Sequence, residues 1–109
     1  MANLSGTLGK INIPAATDTP VYTVATGNMS TVSINLVNTS STVTAKIRIG
    51  ITTSGSLAAA DYIEYDTSLT PNGVLERTGI VLGASDIVYV RSDVANVTAR
   101  VYGFEEAAL

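Results

Sequence analysis

Hydrophobic and polar residues alternate along much of this chain, and the clearest example is the segment Thr44–Ser54. Its aliphatic residues occupy every second position: Ala45, Ile47, Ile49 and Ile51. Successive side chains of a β-strand point to opposite faces of its sheet, so this pattern separates an apolar row from a polar row. We therefore predict a central strand of an antiparallel sheet that has one solvated face.

Shorter segments with the same period follow one another along the chain, separated by residues that favour turns. The predicted strands are Val21–Val24, Met29–Asn38, Val43–Ser54, Asp61–Asp66, Val74–Leu82, Asp86–Arg91 and Val97–Phe104. No segment shows the 3.6-residue period of an amphipathic helix. The pattern predicts an all-β fold, an antiparallel β-sandwich of seven or eight short strands, with a jelly-roll and an immunoglobulin-like strand order both open.

Three local features of this sandwich are predicted as well. Met29–Asn38 is expected to form a hairpin with the Thr44–Ser54 strand, because a short polar turn separates them. Tyr62 and Tyr65 are expected on opposite faces of their strand. The segment Glu105–Leu109 is expected to be a short tail.

The chain has 109 residues, which is enough for one domain with a single hydrophobic core. Pro14 and Pro20 enclose a loop, since proline cannot donate a hydrogen bond to a sheet ladder. We therefore divide the chain into residues 1–13, an N-terminal arm or edge strand, and residues 14–109, the β-sandwich domain.

The composition narrows the range of partners. Charged residues are 14% of the chain, against about 25% in typical soluble domains, while hydrophobic residues are 46%. So little charge favours association, and we expect a homo-oligomer, a dimer or trimer; the alternative is a small monomer with a Ser/Thr-rich surface. A net charge of −3 with only 6 Lys and Arg argues against nucleic acid. No stretch approaches the roughly 20 apolar residues of a membrane-spanning helix, so no membrane partner is expected.

The chain contains no cysteine and no histidine. Disulfides and thiolate metal sites are therefore excluded, and the commonest general base and metal ligand is missing. We predict a protein that is not an enzyme and that binds no cofactor or metal. The carboxylates leave two alternatives open. The first is a hydrolase that uses Asp61, Glu64 and Asp66, or Asp86 and Asp93. The second is a calcium site formed by Asp61, Glu64 and Asp66.

Two predicted strands carry aromatic and arginine side chains on the face opposite their small aliphatic residues. The residues concerned are Ile87, Tyr89 and Arg91 on one strand and Arg100, Tyr102 and Phe104 on the other. Tyrosine and arginine are enriched among the residues that dominate binding energy at protein interfaces. We predict that these residues form an exposed strip of assembly contacts. The alternative is that both faces of these strands are buried.

Four segments match the strands of a known family. They are VYTV at Val21–Val24, KIRIGIT at Lys46–Thr52, YIEYD at Tyr62–Asp66 and GIVLGASDIVYV at Gly79–Val90. On these motifs the chain resembles the small β-sandwich virion structural proteins of tailed bacteriophages, common in phages of cyanobacteria and other marine hosts. It departs from that family at Ala25, where proline is usual.

The resemblance implies a virion protein without enzymatic activity and with no catalytic residue to transfer. The interpretation we favour is a capsid decoration, or cement, subunit on the particle exterior. It would contact copies of itself and other virion proteins such as the major capsid protein. The alternative is a tail component, a baseplate or tail-fibre module that binds other tail proteins or host surface glycans. In either location residues 1–13 would reach across a neighbouring subunit.

Overall fold

The computed structural model describes residues 3–108, which form eight β-strands and one turn of 3₁₀ helix. The strands are β1 (Leu4–Asn12), β2 (Thr19–Thr23), β3 (Asn28–Asn38), β4 (Ala45–Thr52), β5 (Tyr62–Leu69), β6 (Val74–Leu82), β7 (Ile87–Ser92) and β8 (Val97–Ala107), and the 3₁₀ turn is Ala59–Asp61. Residues 3–108 contain no α-helix. The predicted all-β fold is confirmed.

The strands form two four-stranded antiparallel sheets. The first sheet has the order β1-β8-β3-β6 and the second has the order β2-β7-β4-β5. The pairs β1·β8, β2·β7, β3·β6 and β4·β5 place the first half of the chain antiparallel to the second half, in reverse order. This is the strand order of a jelly roll. The β-sandwich prediction is therefore confirmed, and of the two orders left open the chain adopts the jelly roll.

The core lies between the sheets and consists of the aliphatic residues at alternate strand positions. Ile34 and Leu36 of β3 are fully buried there, as are Ile47 and Ile49 of β4. Removing such a side chain from water contributes about 1.5–3 kcal/mol, so this layer supplies most of the favourable free energy of folding. The prediction for Thr44–Ser54 is confirmed, because β4 is an interior strand with one apolar and one solvent-facing side.

The predicted hairpin between β3 and β4 is wrong, because these strands belong to different sheets. Asn38, fully buried at the end of β3, fixes the crossing between the sheets. Its side-chain amide donates hydrogen bonds to the carbonyl oxygens of Val43 (2.8 Å) and Leu69 (3.0 Å). Residues 39–44 are long enough to span either the roughly 4.8 Å between neighbouring strands or the roughly 10 Å between packed sheets. The length of this connection therefore does not determine whether β3 and β4 form a hairpin.

The predicted tail is also wrong, since β8 continues through Glu105 to Ala107. β8 pairs with β3 on one side and with β1 on the other, which makes it an interior strand of the first sheet. Glu105 is only 3% exposed. The adjacent Glu105 and Glu106 predict a solvated chain end. Glu105 is buried instead, because side chains from distant segments of the chain donate hydrogen bonds to it. Leu109 lies outside the described residues.

Residues 4–12 form the edge strand of the first sheet. A register shift in the β1·β8 pair directs Leu8 toward the core, against which it packs. Gly9 lies so close to β2 that a Cβ atom there would be 2.2 Å from the carbonyl oxygen of Val21. Within the described residues, this N-terminal segment therefore packs on its own domain and contacts both sheets.

Candidate functional site

The solvent-facing side of the second sheet carries three of the five tyrosines. Tyr89 of β7 and Tyr62 of β5 lie on either side of Gly50 in β4, each paired with it in the register. Leu57 covers Gly50 so closely that a Cβ atom there would be 2.5 Å from Leu57 Cδ2. We refer to this surface as the tyrosine face, formed by Arg48, Leu57, Tyr62, Tyr65, Tyr89 and Arg91.

An aromatic and ionic cluster occupies one half of the tyrosine face. The Arg48 guanidinium lies 4.2 Å from the centroid of the Tyr65 ring, and its Nε donates to Asp66 Oδ1 at 2.7 Å. Tyr62 meets Tyr65 edge to face, with ring centroids 5.0 Å apart. The hydrogen bond between Arg48 and Asp66 lowers the pKa of Asp66 and raises the pKa of Arg48. The pair is therefore ionised at neutral pH, with its two charges compensating one another.

The prediction that Tyr62 and Tyr65 lie on opposite faces is wrong. The pairing of β5 with β4 shifts at two places, and at each place β5 has one residue more than β4. The shift between Tyr62 and Glu64 brings Tyr62 to the outer side, where alternation from the buried Glu64 also places Tyr65. The second shift is a bulge in which both Tyr65 and Asp66 lie opposite Arg48, and Asp66 there has a φ of +54°, a conformation that aspartate adopts more readily than most residues.

The solvent-facing side of the first sheet carries Arg100, Tyr102 and Phe104 of β8. Phe104 is 65% exposed. The Tyr102 hydroxyl donates to Glu76 Oε2 at 2.6 Å, and this hydrogen bond raises the pKa of Tyr102. The residues that alternate with them are buried in the core, as the sequence predicts: Val97, Ala99 and Val101.

The predicted contact residues do not form one continuous strip. Ile87, Tyr89 and Arg91 are half-buried on the outer side of the second sheet. Arg100, Tyr102 and Phe104 lie on the outer side of the first. The outer sides of two packed sheets point in opposite directions, so these residues belong to two separate surfaces. Their role as assembly contacts stays a prediction.

The candidate carboxylates do not converge on one site. Glu64 is buried, and it accepts hydrogen bonds from Arg77 of the first sheet and from Thr67 Oγ1. Asp66 is directed to the opposite side of β5, toward Arg48. The other three accept hydrogen bonds from backbone N–H groups: Asp61 from Ala58, Asp86 from Gly83 and Asp93 from Lys46 of β4. Within residues 3–108, no three acidic side chains come together in a group that could hold a metal ion.

A buried polar network joins the two sheets near the end of β8. Glu105 accepts hydrogen bonds from the Tyr22 hydroxyl, from Asn28 Nδ2 (2.7 Å) and from the Ala25 backbone N–H (3.2 Å). The Tyr22 hydroxyl is also hydrogen-bonded to Ser30 Oγ. Burial alone would raise the pKa of Glu105, but these hydrogen bonds together lower it. Burial and the bond to Glu105 raise the pKa of Tyr22 to about 12.

Sequence reasoning misses two of these groupings. The contact of Arg48 with Tyr65 and Asp66 depends on the bulge in β5, which regular alternation does not show. An aspartate inside a strand pattern is the one signal that could indicate it. The burial of Glu105 depends on Tyr22, 83 positions earlier in the chain. No local pattern reports such a distant partner.

No protein-family model matches the chain, and no curated protein matches it. Among residues 3–108, no helix combines the length and the hydropathy that are needed to cross a bilayer.

Proposed function

We propose that this protein is a non-enzymatic structural subunit of a bacteriophage virion, a capsid decoration (cement) protein that forms a homo-oligomer on the particle exterior. The observation that carries the proposal is the tyrosine face. It gathers tyrosine, arginine and leucine side chains in a chain of which only 14% is charged. Aromatic residues and arginine are enriched in protein interfaces, whereas lysine, glutamate and aspartate are depleted there.

The tyrosine face has the physical properties of a contact surface. Tyr62 and Tyr65 pack edge to face and Arg48 stacks on Tyr65, so these side chains are ordered before any partner binds. Such ordering reduces the side-chain entropy that association removes. Asp66 compensates the charge of Arg48, so covering the pair leaves no isolated buried charge. Arg91 makes no salt bridge within residues 3–108 and is suited to a carboxylate of a neighbouring subunit.

Three observations support a virion role. The jelly roll is a fold of viral capsid proteins, and it also serves lectins and cupins, so it favours the proposal without deciding it. The motifs that resemble phage virion proteins lie mainly on β2, β4, β5 and β7, the strands of the second sheet. The low charge of the chain would allow many copies to pack closely with little mutual repulsion.

Immunogold electron microscopy tests the proposed location. An antibody raised against the purified chain is applied to purified particles of the phage that encodes it. We expect gold over the capsid in many copies and little gold over the tail. Antibody pre-adsorbed with the purified chain is the control. Unlabelled particles, obtained with an antibody that binds the purified chain in the same buffer, would contradict a virion role on the particle exterior.

A tail location is the second candidate, and Phe104 is the observation that favours it. Its ring is 65% exposed beside a concave surface of about 360 Å³ that Gly6, Thr31 and Ser33 help to line. An exposed aromatic ring offers an apolar face to a sugar ring, and the hydroxyl groups can donate and accept hydrogen bonds. The protein would then be a baseplate or tail-fibre module that binds host glycans. Gold over the tail, with host binding lost in Phe104→Ala but not in Tyr89→Ala, would support this alternative.

A further inference from the structure

The outer side of the first sheet carries two positive charges side by side. Lys10 of β1 and Arg100 of β8 are directly opposite one another in the register, and both are exposed. Residues in that position have Cβ atoms about 5 Å apart, and like charges there destabilise a sheet. The chain has 6 Lys and Arg against 9 Asp and Glu, so adjacency of two cations is unexpected from composition.

A comparison within the molecule shows what this pair lacks. On the tyrosine face Arg48 and Arg91 are also directly opposite, but Arg48 is paired with Asp66. Lys10 and Arg100 make no salt bridge with any carboxylate of residues 3–108. The positive charge of this second pair is therefore not compensated within the described part of the chain.

Neutral hydrogen-bonding groups surround the two cations. Asn12 and Thr98 are paired with one another, two residues along each strand and on the same side of the sheet. Asn35 of β3 pairs with Arg100 on its other side. Together with Lys10 and Arg100 these residues line a concave surface of about 530 Å³. Ile11 and Val37 also line it. The concavity therefore combines aliphatic side chains with two cations and with amide and hydroxyl groups, and the cations, amides and hydroxyl are groups that recognise oxygen anions.

Glu76 lies at one end of the row of residues that contains the two cations. It follows Asn35 in the same row of the sheet, and its carboxylate accepts hydrogen bonds from Tyr102 (2.6 Å) and Asn35 (3.3 Å). A negative charge at that position repels an anion, so a ligand is directed to the opposite side, toward Asn12 and Thr98.

We propose that this concavity binds an oxyanion, the carboxylate or phosphate group of a small ligand, through Lys10 and Arg100. The guanidinium group of Arg100 presents a planar fork that matches two oxygens. In the unliganded chain its Nη1 donates to Thr7 Oγ1 at 3.2 Å, on the Tyr102 side of Arg100, so this exposed side chain turns toward Asn12 and Thr98 to hold the anion. Lys10 supplies a mobile ammonium group from the neighbouring strand. A bound anion also removes the repulsion between the two cations, so binding stabilises the first sheet.

An NMR titration of the ¹⁵N-labelled chain tests the proposal. Glucuronate and inorganic phosphate are the two anionic probes and glucose is the neutral one, all at constant ionic strength. We expect amide shift changes concentrated at residues 10–12 and 98–100 with at least one anion and not with glucose. A response to glucuronate alone identifies a carboxylate ligand, and a response to phosphate alone identifies a phosphorylated one. If neither glucuronate nor phosphate changes these amide shifts, the proposal is overturned.

Matched variants make the assignment specific. Arg100→Gln is expected to weaken binding about tenfold or more, because it removes charge-assisted hydrogen bonds to the anion. Lys10→Arg keeps the charge and should retain binding, and Lys46→Gln, which removes an exposed charge from the second sheet, should leave binding unchanged. Arg100→Gln should also raise the melting temperature of the unliganded chain, since it removes the repulsion from Lys10. Equal affinities in wild type and Arg100→Gln would contradict the site.

Discussion

At position 105 a carboxylate lies inside the protein, and no Lys or Arg of residues 3–108 forms a salt bridge with it. Hydrogen bonds from Tyr22, Asn28 and the Ala25 backbone N–H compensate its charge. A buried carboxylate is tolerated only when such donors replace its hydration. Tyr22 belongs to the second sheet and Glu105 to the first, so this residue joins the two layers through polar contacts.

Replacing Glu105 by glutamine measures the contribution of its charge. The amide has almost the same shape, but it carries no charge and presents an NH₂ group to neighbouring donors. We expect the free energy of unfolding to fall by about 2–3 kcal/mol. The control Glu106→Gln changes an exposed neighbour and should alter stability by less than about 0.5 kcal/mol. Urea unfolding at pH 7 measures both, and equal effects of the two substitutions would contradict the network.

The same network predicts how stability depends on pH. Folding lowers the pKa of Glu105, so in acid the unfolded chain binds more protons and stability falls as the pH drops below about 4.3. Folding raises the pKa of Tyr22 to about 12, so the folded chain keeps a proton that the unfolded chain loses. Stability should therefore also fall as the pH rises from about 10 toward 12.

Tyr22→Phe tests the alkaline half of this dependence. The variant removes the titrating hydroxyl, so the loss of stability above pH ~10 should be smaller than in wild type. Tyr102→Phe is the comparison, and its effect should be weaker because that hydroxyl lies at the surface. Thermal unfolding at a series of pH values provides the measurement. An alkaline decline that is the same in wild type and Tyr22→Phe would show that Tyr22 does not cause it.

Strand β8 is an interior strand that pairs with both β1 and β3. Gly103 lies in the middle of this three-stranded contact, paired with Gly6 on one side and Val32 on the other. Its φ is +148°, and a Cβ atom there would be 2.2 Å from the carbonyl oxygen of Thr31. A backbone oxygen held in a sheet cannot move away without breaking the pairing of β3 and β8.

Gly103→Ala should therefore be strongly destabilising. We expect a loss of about 2 kcal/mol or more, from the strained φ together with the clash against β3. Gly55→Ala is the matched control, because a Cβ atom at Gly55 would meet nothing within 4 Å and should change stability little. Calorimetric melting of the two variants makes the comparison. Similar melting temperatures for both would contradict the close approach of β8 and β3.

How far the sequence predicts these elements depends on the physical origin of each feature. The buried sides of β4 and β8 follow from alternation, because backbone geometry alone sets side-chain direction in a strand. Strand pairing does not follow from that period, and the crossing after Asn38 depends on its bonds to Val43 and Leu69. Only part of the tyrosine face can be predicted from the sequence, because alternation gives the direction of a side chain but does not show register shifts. Tyr89 follows from alternation in β7, whereas Tyr62 and Tyr65 share a side because of a register shift in β5.

The whole molecule presents two different surfaces in opposite directions. The second sheet exposes the ordered tyrosine face, and the first sheet exposes Phe104 and the uncompensated pair Lys10 and Arg100. A subunit that associates through one side of a sandwich leaves the other side accessible. Under the proposed function, copies would meet through the tyrosine face, while the first sheet would stay available to an anionic ligand on the particle exterior.

The central claim is that the tyrosine face associates copies of this chain, and light scattering over a range of concentrations tests it most directly. The wild-type protein should have the mass of a dimer or trimer. The double substitution Tyr62→Ser with Tyr89→Ser should reduce it to the mass of a single chain. Phe104→Ser, on the opposite side, should leave the oligomer intact. A wild-type chain that is monomeric at every concentration, or an oligomer that the tyrosine substitutions do not change, would contradict the account.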